Sequence, residues 1–138
     1  MAFKHETQQA ATDVRRPATP APKAYHPDAY EFVQEGLCHT VREVYGDGPV
    51  SAAQHVSGQQ LCHGLRAFAH ARWGLLAGAV LGRWNVTATL DFGRLVFAMI
   101  DAGQLHRTPH DTLEDFRDVF DFRAGFEHGY RVAVDAFG

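Results

Sequence analysis

The sequence predicts a mainly helical domain with a small β-hairpin, built from three to four helices. Apolar residues recur at three- and four-residue steps through most of residues 27–101. Cap and stop residues bracket each of these runs. Strand-like patterning is confined to the last third, at Leu105 to Thr108 and at Tyr130, Val132 and Val134.

The chain opens differently. Residues 1–24 carry Lys4, Arg15, Arg16 and Lys23 against Glu6 and Asp13, and Pro17, Pro20 and Pro22 fall within six residues. Such a stretch buries too little apolar surface to offset its conformational entropy. A flexible basic arm over 1–24 is expected, followed by a single globular domain over 25–138. A first helix is expected from His26-Pro27-Asp28, because proline suits the first helical position. Tyr30, Val33, Leu37, Val41 and Val44 form its apolar stripe, and Gly46 and Gly48-Pro49 stop it. Ser57 and Gln60 fit a capping box for a second helix, with Leu61, Leu65, Phe68, Ala69 and Trp73 on its apolar face. Gly74 is the expected break. A short helix from Leu75 to Trp84 then presents Leu76, Val80 and Trp84, with Asn85 as a left-handed cap. A third long helix begins after Thr87 or Thr89, buries Phe92, Leu95, Val96, Met99 and Ile100, and ends at Gly103. Leu105 is its hydrophobic anchor.

Composition narrows the function classes. The chain has 138 residues, 46% of them hydrophobic, which fits one ordinary globular domain. Two cysteines are too few for a disulfide scaffold. The start, MAFKHETQQAATDV, has no apolar core of a secretory signal, and the longest apolar run spans Gly74 to Gly82. A cytoplasmic protein without membrane contact is expected. The net charge of −3 carries no global basicity that would point to nucleic acid.

The order of elements from Ala77 to Phe122 resembles winged-helix proteins, with Thr89 to Ala102 as recognition helix and residues 109–115 as wing tip. The charges oppose DNA binding by such a surface. The recognition helix offers Arg94 against Asp91 and Asp101, and the wing region holds Asp111, Glu114, Asp115, Asp118 and Asp121 against Arg117. Phosphate neutralisation dominates DNA affinity, so this field would repel a duplex. A nucleic-acid regulator would have to use Arg15, Arg16 and Lys23 of the arm with Arg94 and Arg107. The same acidic, aromatic strip suits protein recognition or self-association. Its expected partner-binding residues are Glu114, Asp115, Phe116, Asp118, Phe120 and Asp121, aromatics supplying buried area and carboxylates steering a basic partner.

Evidence for chemistry is thin. Leu-Cys-His occurs at 37–39 and 61–63, so Cys38, Cys62 and His63 are weak zinc candidates. Adjacent helical residues point about 100° apart, which disfavours chelation by a Cys-His pair. No metal or other cofactor is expected. There is no G-x-S-x-G elbow, Walker motif or G-x-G-x-x-G fingerprint, and no catalytic constellation, so a non-enzyme is expected.

Four stretches carry a resemblance. They are Tyr25 to Val33 (YHPDAYEFV), His55 to Gln59 (HVSGQ), Asp91-Phe92-Gly93 with Val96-Phe97, and Glu114-Asp115-Phe116 with Asp121-Phe122. Together they resemble the uncharacterised Minf-type family of small bacterial proteins, over roughly residues 25–126. The resemblance implies a small, mainly helical cytoplasmic protein. It brings no catalytic residues to transfer.

Overall fold

The first helix, α1 (Pro27–Tyr45), starts where the sequence supplies a start. His26 is extended, its Nδ1 accepts from the Asp28 N–H at 3.1 Å, and Pro27 occupies the first turn. Gly46 ends it at φ 98°, a left-handed value favouring glycine, and donates its N–H to the Arg42 carbonyl. The structure is a computed structural model and describes residues 1–3, 23–48 and 53–128. Tyr30, Val33, Leu37 and Val41 are buried as the stripe requires, but Val44 is 44% exposed, beyond the packed part of the helix.

The second helix, α2 (Gly58–Trp73), has the expected capping box. Ser57 Oγ accepts from Gln60 N at 3.0 Å, and Gln60 Oε1 accepts from Ser57 N at 2.8 Å. Leu61, Leu65 and Ala69 are buried, with Phe68 and Trp73 half-buried at the edge. α1 and α2 pack closely because each has a glycine where the other projects a side chain. A Cβ on Gly36 would collide with Leu65, and one on Gly64 with Thr40.

Gly74, at φ 54°, turns the chain into a 3-10 segment, Gly74–Leu76, that leads into α3 (Ala77–Arg83). This turn corrects the expected face of the short helix. Ala77 and Leu81 point inward, while Leu76 is 64% exposed and Val80 half-buried. The inward face of α3 is thus displaced by one position from the expected one, from Leu76 and Val80 to Ala77 and Leu81. Asn85 is left-handed as expected, at φ 69°.

The last long helix, α4 (Thr89–Asp101), is the central element. Phe92, Leu95, Val96 and Met99 are fully buried. Neither threonine is its N-cap. Ala88 holds that position, and Asp91 does the capping from inside the first turn, accepting from Thr87 N (2.8 Å) and Ala88 N (3.2 Å). Gly103 follows at φ 79°.

Two short strands complete the fold. β1 (Ala2–Phe3) pairs antiparallel with β2 (Leu105–His106), Ala2 opposite His106 and Phe3 opposite Leu105. Among the described residues the molecule is therefore mainly helical, with four α-helices and a small two-stranded antiparallel sheet. Its strands come from distant parts of the sequence. Residues 109–115, expected as a wing tip, form a turn and the start of a 3-10 segment, Leu113–Phe116, packed on α4. The strand expected at Tyr130 to Val134 lies outside the described residues.

The arm expected over 1–24 is anchored at both described ends. Met1, Ala2 and Phe3 are core residues, and the Met1 amino group donates to Val56 O (2.9 Å) and Asp111 Oδ2 (2.7 Å). Lys23 is held against α4. Among the described residues, no helix is long and apolar enough to cross a membrane.

Candidate interaction face

Two groups of carboxylates face opposite fates. The first centres on Asp91, whose side chain is only 2% exposed. Burial pushes its pKa up. Hydrogen bonds from the Tyr25 hydroxyl (2.6 Å), the Thr87 N–H and the Lys23 ammonium (3.0 Å) outweigh that and hold it below the usual carboxylate value. Arg94 Nη1 adds a further bond at 3.1 Å. Burial and the neighbouring Asp91 push the Tyr25 hydroxyl up, so it remains a neutral donor. Donors from the 23–25 segment, from the turn before α4 and from α4 itself converge on one carboxylate. The result is a joint that ties residues 23–25 to the start of α4. Both Asp91 oxygens are occupied by donors from its own chain, so it is a poor proton acceptor for a substrate.

The second group lies along residues 111–121. Asp111 is buried beneath it. Burial raises its pKa, but the Met1 amino group and the Thr108 N–H (2.8 Å) more than offset this and lower it. Asp115 Oδ2 accepts from Thr112 N at 3.0 Å and opens the 3-10 segment. Glu114 and Arg117 form a two-point pair at 2.8 and 3.0 Å on the open surface. That guanidinium holds the Glu114 carboxyl below its usual range. Asp118 follows, exposed, in a left-handed turn at φ 49°. Asp121 Oδ1 accepts from Arg123 N and Ala124 N, starting the last helical turn.

The aromatics of the strip face the other way, which corrects the expected binding set. Phe116 is fully buried, wedged where Gly58 of α2 and Gly93 of α4 leave room. A Cβ on Gly93 would come within 2.7 Å of its ring. Thr89 Oγ1 donates to the Phe116 carbonyl at 2.6 Å and accepts from Val119 N at 3.2 Å, fixing the backbone of the acidic turn. A partner cannot touch Phe116. Phe120 is half-buried, stacked on Phe122 at 6.2 Å with the Arg66 guanidinium 5.6 Å from its ring. The surface itself carries Glu114, Asp118 and Asp121 with Arg117 among them, Thr112, the half-buried Asp115, and Leu113 at 37% exposure.

Each of the described cations proposed for nucleic acid already has a partner within the chain. Lys23 and Arg94 both bind Asp91, and Arg107 lies 5.5 Å from the Phe97 ring. Arg15 and Arg16 lie outside the described residues. The would-be recognition helix is α4, buried along most of its length, with Asp101 its one exposed residue. The zinc candidates do not converge. Cys62 is buried and its thiol pushed up to about 12, Cys38 is half-buried on α1, and His63 stands in solvent against Phe120. Among the described residues, no group of three or more His, Cys, Asp or Glu side chains is placed to hold a metal ion. A cavity of about 180 Å³ opens between Gly78 and Gly82 of α3 and Phe122 and Phe126, with Thr87 and Arg123 as its polar lining.

The Asp91 joint escaped sequence reasoning. Its one local signal is an acid three residues after the N-cap, which the Ser/Thr capping template misses because Ala88 stands there. Tyr25 is 66 positions away. In comparisons with known proteins, no family model, curated protein or solved structure matches the chain.

Proposed function

We propose that the chain is a non-enzymatic helical interaction domain, acting in the bacterial cytoplasm, that binds a basic protein segment through the acidic turn at Leu113 to Asp121. One observation carries this reading. Glu114, paired with Arg117, and Asp118 and Asp121 are exposed on a backbone pinned by Phe116 and Thr89, so acidic side chains are displayed on a rigid support. Pre-organisation lowers the ordering cost of binding. Leu113 supplies an apolar contact within the same turn.

The test uses a fluorescent arginine- and lysine-rich peptide as probe, read by anisotropy against the full chain. The wild type binds it, with affinity falling as salt rises. The double variant Glu114→Gln, Asp118→Asn weakens binding several-fold, mostly through a slower association rate. Equal affinity for wild type and variant would sink the assignment.

A further inference from the structure

The cavity between α3 and the last helical turn is graded from floor to mouth. Val86 and Phe126, each 1% exposed, form its floor. Gly78 and Phe122, half-buried, form its walls, and the exposed Gly82, Thr87 and Arg123 form its rim. Apolar groups thus lie deep and polar groups lie at the opening. The aromatic side is fixed in place, because the Phe122 ring lies 4.6 Å from Phe126 and stacks on Phe120. Gly78 and Gly82 stand one helical turn apart, so α3 offers bare backbone along its wall. A Cβ on Gly82 would meet no atom within 4 Å. The turn that carries Phe126, Ala124–His128, is a π-helix, a widened form that recurs at functional sites.

The charge at the rim has one sign. Among the described residues no Asp or Glu lines the cavity, and Arg123 is the lining residue that carries charge. Its guanidinium has five N–H donors, of which a carboxylate takes two. Thr87 Oγ1 accepts from Lys23 Nζ at 3.1 Å, which brings a second cation to the rim. Two acids lie near. Asp91 is shared by Lys23 and Arg94, and Asp121 Oδ1 accepts from the Arg123 and Ala124 N–H groups. An apolar cavity of about 150 Å³ takes up benzene. At about 180 Å³ this one has room for a single ring with one small substituent. We infer that the cavity binds a small aromatic carboxylate, its ring between Phe122, Phe126 and the bare glycine wall and its carboxylate at Arg123. This site is separate from the acidic face and takes a ligand of opposite charge to the basic partner of that face.

Amide NMR spectra of the full chain titrated with benzoate test this. In the wild type, saturable shifts gather at Gly78, Gly82, Val86, Thr87, Phe122 and Phe126, with a dissociation constant on the order of 1 mM for so small a ligand. Benzyl alcohol, which keeps the ring and lacks the charge, binds about tenfold more weakly. Acetate, which keeps the charge and lacks the ring, gives no saturable shift. Arg123→Gln lowers benzoate affinity to that of benzyl alcohol and leaves benzyl alcohol unchanged, a selectivity that a merely structural loss would not produce. Gly82→Leu fills the open space and abolishes binding of both, with thermal melts to verify folding. Acetate binding as tightly as benzoate overturns the inference. So do benzoate affinity unaltered by Arg123→Gln, and shifts that gather elsewhere or do not saturate. Should Gly82→Leu fail to fold, the wild-type and Arg123→Gln titrations decide the matter alone.

Discussion

The Asp91 joint and the acidic turn at Glu114 and Asp118 make opposite use of the same functional group. Asp91 is enclosed by Tyr25, Lys23, Thr87 and Arg94 and serves its own chain. Glu114 meets only the exposed Arg117 in the contacts resolved around it, and Asp118 is exposed. The difference teaches that a count of charges along a sequence says little about which are available. Three of the cations that an electrostatic reading would assign to a ligand are held elsewhere, two of them by a single buried carboxylate.

The sharpest way to break this comparison is Asp91→Ala. Removing one partner of a buried charged cluster leaves the others unsatisfied and costs about 3–5 kcal/mol. Urea unfolding measures it, and a loss no larger than for a surface substitution would erase the distinction between the two groups. The middle-sized effect concerns pH. His70 of α2 packs edge-on against the Phe126 ring at 5.5 Å. Burial, helped by the nearby Arg66, lowers its pKa below the ordinary 6.5. The unfolded chain therefore takes up this proton at a higher pH than the folded one. Stability is full above pH 6.5 and declines as pH falls through the lower folded value. Melting curves across that range show the decline in wild type and a smaller one in His70→Gln. The smallest effect is at the surface: Glu114→Gln leaves the melting temperature unchanged within error, since its pair with Arg117 is screened by solvent.

Local chemistry was legible in the sequence, and long-range placement was not. The Ser57-Gln60 box, Pro27, Asn85 and Gly103 act within one helical turn, so their residue types suffice to set α1, α2 and the turns around α3 and α4. The displaced face of α3 was hidden because it follows a 3-10 turn that the apolar stripe does not mark. β2 falls where strand-like patterning was read, at Leu105 to Thr108, but its partner β1 lies across most of the chain and two residues leave no periodic signal. The acids of the 111–121 strip were visible, but the direction of its phenylalanines was not. Phe116 turns inward because Gly58 and Gly93, on two other elements, leave a space that only the assembled fold creates. That placement converts an expected aromatic-acidic face into an acidic one on a buried aromatic support.

The central claim is that the exposed carboxylates of this turn, and not the buried ones, meet a partner. Amide NMR spectra of the full chain, recorded during titration with the basic peptide, test it most directly. The account predicts progressive shifts concentrated at Leu113 to Asp121, with Thr87, Ala88 and Asp91 unmoved. Shifts centred on the start of α4, or none in the acidic turn at saturating peptide, would contradict it.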